Sequence, residues 1–251
     1  MPHYAALALG YLAALLGWFV VARACPALWP ARPAPRLARP WEEFGWALLG
    51  AAAVVAVGQV YQRGMLLPHR GWWEPLADGL NQLLIFAPLL LVPLVRRQPA
   101  GTALVILDRL WLRVLVGLSL ALLGVLVFTA VRANANTWLG AVRETYRYRN
   151  VDLAVQVLLE DVAIAILLVR LAAAAGARIA LPVVAALFAA GHVPAMLAEG
   201  ATAGGLARLV LDFGLGVGVM GTLWRSADVS WLWCVHFAMD MMQYYGTRSV
   251  A

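Results

Sequence analysis

The sequence contains no lysine, because all 19 of its basic residues are arginines. The absence of lysine excludes enzymes that form a Schiff base, Ser–Lys hydrolases and nucleotide-binding proteins that use a P-loop lysine. Charged residues of both signs are also scarce, at 13% of the chain. The only two cysteines, Cys25 and Cys234, fit neither a metal-binding nor a redox spacing. We therefore expect the Cys234 thiol to have a structural role.

Apolar residues are abundant instead. They make up 63% of the chain, and the mean hydropathy is +0.80, whereas a soluble domain is about 45–50% apolar and about 25% charged. No polar stretch is long enough to fold as a separate soluble domain. We therefore predict that residues 1–251 form a single transmembrane domain of the all-α class, a polytopic bundle of about eight transmembrane helices.

Eight apolar segments approach the length that a spanning helix needs, which is about 20 residues. They cover residues 4–21, 44–60, 80–95, 112–131, 151–171, 179–198, 205–223 and 229–245. The third is the weakest, because it is short and contains Pro88 and Pro93. No basic residue precedes the first apolar run, so we interpret it as a retained helix and not as a cleaved signal peptide. The stretch 137–150 is interpreted as an interfacial helix or as the rim of an active site.

The arginines predict the orientation of the bundle. No arginine precedes the first segment, and four follow it closely. Arg23 comes just after the segment, and a proline-rich loop over residues 25–40 contains Arg32, Arg36 and Arg39. With the N-terminus outside, 11 arginines lie on the inner side and eight on the outer side, in agreement with the positive-inside rule. The alanine-rich, lysine-free composition indicates a bacterial inner-membrane protein, with an extracytoplasmic N-terminus. We expect the arginines to meet lipid headgroups and not nucleic acid.

Four ionisable residues interrupt the apolar segments near the C-terminus, namely Glu160, His192, His236 and Asp240. A charged side chain at mid-bilayer costs several kcal/mol, so such residues usually face a protein interior or a wet cavity and are functional. At about 1.5 Å per residue, Glu160 and His236 lie about 14 Å from the outer ends of their helices, His192 about 9 Å and Asp240 about 8 Å. This common depth predicts that the four side chains meet.

Such a group suits the activation of water. A carboxylate in a low-dielectric pocket is a competent general base near neutral pH, and this role fits Glu160. His192 would help to hold the same water, while His236 and Asp240 would stabilise the oxyanion formed when that water attacks a peptide carbonyl. An ionised Asp240 would instead orient His236, and the sequence leaves both roles open.

The spacing of these residues resembles the CAAX-protease and bacteriocin-processing family of intramembrane glutamic proteases (CPBP, also called Abi). That family has the motifs Glu-Glu-x-x-x-Arg, Phe-x-x-x-His and His-x-x-x-Asn/Asp on successive membrane helices. Phe188 and His192 match the second motif, and His236 and Asp240 match the third. The resemblance implies metal-independent hydrolysis of a peptide bond, with Glu160 as the base and no cofactor. The implied substrate is a membrane-associated or exported protein or peptide.

The resemblance covers a family-like catalytic core over residues 151–246, and the eight-helix core of family members agrees with the number of segments. The first motif departs from the pattern. Asp161 stands where the second glutamate is expected, and Ala165 where the arginine is expected. We assign supporting roles to Asp161, Phe188 and Asp212, the last because its depth of about 10 Å places it in the same layer.

Other interpretations stay open. The polar residues also fit a structural hydrogen-bond network between helices, a zinc site, a proton-coupled transporter or a non-proteolytic membrane scaffold. The sequence has neither the repeated halves nor the paired broken helices of a transporter. The segment Gly117-Leu118-Ser119-Leu120 matches the serine motif of rhomboid proteases, but a rhomboid site would leave Glu160 and His192 unexplained.

The orientation can be tested by labelling. Cysteines engineered into the loop 25–40 should react with a membrane-impermeant maleimide only after the membrane is opened, because this arginine-rich loop is predicted to lie inside. Labelling of intact cells from the outside would contradict the predicted orientation. It would also make a cytosolic substrate, such as a prenylated protein, more reasonable than an exported one.

Overall fold

The computed structural model describes residues 3–30, 36–64, 66–67, 71–132, 137–198, 200, 202 and 209–244. Within these ranges it contains nine α-helices and two short 3₁₀ turns, Ala100–Ala103 and Tyr148–Asn150. The helices are α1 His3–Ala24, α2 Pro40–Gln62, α3 Glu74–Val95, α4 Leu110–Val131, α5 Trp138–Thr145, α6 Val151–Ala175, α7 Ala177–Ala198, α8 Leu209–Ser226 and α9 Val229–Tyr244. The predicted all-α class is therefore confirmed.

Five helices are long and apolar enough to cross a membrane. They are α1 to α4 over their full lengths, and α7 over Ala177–Pro194. This finding supports an integral membrane protein. The other long helices are more polar or shorter: α6 contains Glu160, Asp161 and Arg170, and α9 has 16 residues in the described range.

The eight predicted segments each overlap a long helix, and α5 is additional. Helix α2 begins at Pro40, ahead of the predicted segment, because proline fits the first turn of a helix. Pro88 and Pro93 lie inside α3, which continues through both. The stretch 137–150 folds as α5 and the second 3₁₀ turn. Some predicted positions lie outside the described residues: Arg32, Pro33 and Pro35 in the first loop, 205–208 in the seventh segment, and 245–246 at the end of the predicted core.

Helices α6 and α9 lie at the centre of the bundle. Helix α6 packs against α2, α3, α7 and α9, and α9 also packs against α1 and α4, whereas α8 packs mainly on α7. The run from Ile164 to Leu171 in α6 is buried on every side, as expected of a helix at the middle of a bundle. Gly176 ends α6 with φ of 84°, a conformation that favours glycine, so α7 can begin at the next residue.

Buried polar contacts fix the start of α9. Asp228 precedes the helix, and its two oxygens accept the backbone N–H of Ser230 and the indole N–H of Trp29, each at 3.0 Å. The Arg113 guanidinium of α4 lies 3.4 Å from the same carboxylate and donates twice to the Leu28 carbonyl, at 3.0 and 2.8 Å. Because Arg113 and Asp228 are fully buried, this ion pair sets the height at which α9 enters the bundle.

Helices α4 and α9 also meet at Gly117. A Cβ atom there would lie 2.8 Å from both the Cα and the carbonyl oxygen of Trp231, which is backbone and cannot easily move. Ser119 is exposed, and its hydroxyl donates to the Leu115 carbonyl of its own helix at 2.9 Å. The Gly-x-Ser segment therefore serves helix packing, and its contacts give no support to a rhomboid-type serine site.

The close contact at Gly117 generates a stability prediction. Gly117→Ala should lower the free energy of unfolding by about 1–3 kcal/mol, because the added methyl group must push α4 away from α9. Unfolding in detergent can be followed through maleimide reactivity of the buried Cys234 in a Cys25→Ala background. Gly45→Ala is the matched control, since nothing lies within 4 Å of a Cβ at that position. Equal unfolding midpoints for the two variants would contradict the packing argument.

Candidate functional site

Two neighbouring helices bring two acids and an imidazole into one small group. Glu160 comes from α6, and His236 and Asp240 come from α9, one turn apart. One carboxylate oxygen or ring nitrogen of each residue lies within 4.8 Å of those of the other two. These three of the four sequence-predicted residues therefore lie together, whereas His192 is outside the group.

Asp161, the residue after Glu160, holds the His236 ring. Its Oδ1 lies 2.9 Å from His236 Nδ1, and its side chain is 1% exposed, against 12% for His236. Its other oxygen, Oδ2, is buried without a hydrogen-bond partner. Because Nδ1–H donates to Asp161, Nε2 is the nitrogen that faces the group. Nε2 lies 3.7 Å from Asp240 Oδ1, too far for a hydrogen bond.

Glu160 and Asp240 differ in their surroundings. The Gln156 amide, one turn earlier on α6, donates to Glu160 Oε1 at 2.8 Å and so holds the carboxylate in place. The Asp240 side chain is 30% exposed, so it is more accessible than either His236 or Asp161. The group therefore opens on the side of Asp240, while the Asp161–His236 contact lies behind it.

His192 on α7 is not among the three residues of this group. Its ring is exposed, and Nδ1 lies 2.9 Å from the Phe188 carbonyl oxygen, one turn earlier. The Phe188 ring is 4.7 Å from the His192 ring and 6.4 Å from the His236 ring, measured between centroids. Phe188 thus lies beside both rings.

The arginine expected from the family motif has no replacement on α6. Ala165 is fully buried in the helix interior. Arg170 lies about 15 Å further along the helix than Glu160, and its guanidinium donates to the Thr102 carbonyl at 3.2 Å. The charge of Asp161 is met by an imidazole and not by a guanidinium.

Tyr11 on α1 joins the site although it belongs to no motif. It is 5% exposed, and its ring centroid is 6.4 Å from that of His236. Depth is the signal that could have found it, because Tyr11 lies about 12 Å along α1 from His3. Asp212 on α8, to which the sequence assigns a supporting role, is exposed.

Helix α5 packs beside the site. It contacts α4 and α9, and the Tyr146 ring that follows it lies 5.8 Å from the ring of Phe237, the neighbour of His236. Tyr146 is itself 48% exposed. This placement agrees with both interpretations of the stretch 137–150, since α5 covers the end of α9 that carries the site.

The three carboxyl groups around His236 cannot all be ionised at the same time. Glu160, Asp161 and Asp240 would carry three negative charges against one positive charge on a protonated His236. Carboxylates this close in an apolar interior cannot all ionise, so the group holds and exchanges protons as a unit. A cluster that gains and loses protons in this way is suited to general acid–base chemistry.

The same atoms could hold a divalent cation. Glu160 and Asp240 offer carboxylate oxygens and His236 offers Nε2, which are ligands that zinc accepts. The Asp161 contact to Nδ1 resembles the carboxylate that commonly supports a metal-bound histidine. The geometry therefore suits either a cation or a water molecule placed between Glu160 and His236.

The chain matches no protein-family model, no curated protein and no solved structure. The functional argument consequently rests on the side chains themselves. The resemblance to glutamic proteases rests on the spacing of the sequence motifs alone.

Two variants, one at His236 and one at His192, test how each histidine contributes to stability. His236→Ala should lower the free energy of unfolding by about 3–5 kcal/mol, because it leaves the buried Asp161 carboxylate without its partner. His192→Ala, on an exposed ring, should change it by about 0.5 kcal/mol or less. Thermal unfolding in detergent measures both. A loss for His192→Ala as large as that for His236→Ala would contradict the assignment of Asp161 to His236.

Proposed function

We propose that this protein is an intramembrane endopeptidase of the glutamic type, similar to the CPBP (CAAX-protease-like) family. The observation that carries the proposal is the grouping of Glu160, His236 and Asp240 within 4.8 Å. In an apolar bundle this grouping places a general base beside groups that can stabilise a developing negative charge. In the proposed topology, α1 to α4 and α6 to α9 form eight membrane spans, and the N-terminus is extracytoplasmic.

Glu160 begins the reaction. Its carboxylate takes a proton from a water molecule held between Glu160 and His236, and the water oxygen bonds to the carbonyl carbon of the scissile peptide. The resulting tetrahedral intermediate carries its negative charge on the former carbonyl oxygen. Protonated Glu160 then gives its proton to the leaving nitrogen as the C–N bond breaks. The products are a carboxylic acid and an amine, and Glu160 is again ionised.

His236 stabilises the oxyanion through Nε2. Because Asp161 accepts the Nδ1–H at 2.9 Å, a protonated imidazole presents Nε2–H to the group, where a charge-assisted hydrogen bond is strong. Asp240, one turn further on α9, contributes a second donor when it is protonated. His192 and Phe188 line the approach to these groups, and no step requires His192 to contact Glu160.

The accessible side of the group indicates the kind of substrate. Asp240 is 30% exposed, and the orientation with the N-terminus outside places it in the outer half of the membrane. A site there suits exported or membrane-associated proteins and peptides. The substrate backbone must leave its hydrogen-bonded helix or strand to reach Glu160, because a regular helix shields its own carbonyl groups.

Glu160→Gln tests the proposal. In cells that produce either the wild-type protein or this variant, peptide N-termini created by cleavage of membrane and exported proteins should be present only with the wild type. Their abundance should fall by about a hundredfold or more, since a general base contributes at least that factor. Quantitative N-terminal proteomics measures the change. Glu74→Gln is the matched control, because Glu74 is exposed at the start of α3 and away from the site.

Three outcomes separate the alternatives. Unchanged N-termini in the Glu160→Gln cells would contradict the protease proposal and favour a scaffold. Proton-coupled solute uptake that is lost with Glu160→Gln, without any change in N-termini, would favour a transporter. Cleavage that stops in a chelator and returns with Zn²⁺ would show that the group works through a cation.

A further inference from the structure

The distance between His236 and Asp240 fits two ligands of one metal ion better than a hydrogen-bonded pair. His236 Nε2 lies 3.7 Å from Asp240 Oδ1, which is beyond hydrogen-bond range. Two ligand atoms of a tetrahedral Zn²⁺, each about 2.0–2.2 Å from the ion, lie about 3.3–3.6 Å apart. Glu160 also brings a carboxylate oxygen within 4.8 Å of a ligand atom on each of these residues. Small side-chain rotations therefore bring one nitrogen and two oxygens onto one ion.

The histidine of this set is already arranged as a metal ligand. Its Nδ1 lies 2.9 Å from Asp161 Oδ1, so Nε2 is the nitrogen that faces Glu160 and Asp240. A carboxylate that accepts the far N–H of a metal-binding imidazole fixes the tautomer of the ring and raises its basicity as a ligand. The Asp161 side chain is 1% exposed, so water does not compete for this contact. The bundle thus supplies the ligands and their support together.

Charge gives a second reason to place a cation here. Glu160, Asp161 and Asp240 set three carboxyl groups against a single imidazole, and in an apolar interior this excess of acid is costly. A divalent cation offsets two of the negative charges, and a bound ion of this kind is often the largest local charge in a site. The Asp240 side chain is 30% exposed, so an ion can enter from the side on which the group opens.

We infer that Glu160, His236 and Asp240 bind Zn²⁺, and that the bound ion stops the cleavage proposed above. The inference rests on the proposed function, because the ion takes the place of the water between Glu160 and His236. A Glu160 oxygen that donates an electron pair to zinc no longer takes a proton from water. His236 Nε2, once bound to the ion, has no hydrogen to donate to the oxyanion. Zinc therefore regulates the site by occupying it.

Zinc binding to the purified full-length protein tests the site without a substrate. In a Cys25→Ala background, which removes the exposed thiol, competition with a fluorescent zinc chelator should report one Zn²⁺ per protein. Asp161→Asn should weaken the binding by about 10–100-fold, because it removes the carboxylate behind the imidazole. Asp240→Asn should weaken it at least as much, because it removes a ligand. His192→Ala is the matched control and should bind like its parent, since the exposed His192 ring lies outside the group.

Cleavage gives the second readout. In isolated membranes, saturating Zn²⁺ should lower the formation of Glu160-dependent N-termini by about a hundredfold, the factor that a general base contributes, and a chelator should restore it. Cleavage that requires Zn²⁺ would overturn the inhibition.

The two readouts separate this inference from the proposed function. A parent protein that binds no zinc, or an Asp240→Asn variant that binds it like the parent, would overturn the zinc site, whatever Glu160→Gln does to the N-termini. Zinc binding that follows the variants, without any Glu160-dependent N-termini, would support the binding site and show that the protease proposal, together with the inhibition, is wrong.

Discussion

A carboxyl group inside an apolar bundle must find a partner, and Asp161 on α6 finds the His236 imidazole on α9 at 2.9 Å. This contact fixes the rotation of both helices about their axes, because turning either one would break it. It also decides which ring nitrogen faces Glu160 and Asp240. The geometry of the proposed site thus depends on a residue that does not itself face the substrate.

Helix α9 is held along its length as well as at this contact. The Arg113–Asp228 pair fixes its start, the Trp233 indole N–H donates to the Ala154 carbonyl of α6 at 2.8 Å, and Met239 fills the space beside the α1 and α4 glycines. These anchors lie on both sides of His236. A side chain held in this way loses little freedom when a charged intermediate forms, which is the physical basis of electrostatic preorganisation.

Depth along each helix could be predicted from the sequence, but lateral position could not. Residue counting placed Glu160, His236 and Asp240 at similar heights, and they lie together. The same counting predicts His192 in that layer, yet its ring is exposed and lies against Phe188 of its own helix, because height does not specify which neighbour a helix face meets. The helix ends also differ from the ends of the predicted apolar segments, because helix caps and first turns extend past the apolar run. Tyr11 belongs to no motif, and its depth along α1 is the only signal in the sequence that points to the site.

Two positions on α6, Asp161 and Ala165, do not match the expected motif, and the packing around them gives a physical reason. Ala165 lies one turn after Asp161 and is fully buried, so an arginine at this position would have to enter a close-packed interior. An interior without that guanidinium needs another positive partner for the second acid, and the His236 imidazole supplies it. Aspartate, shorter than glutamate by one methylene, reaches this ring at hydrogen-bond distance. Asp161 and Ala165 therefore fit a single arrangement, in which the His236 imidazole neutralises the Asp161 carboxylate.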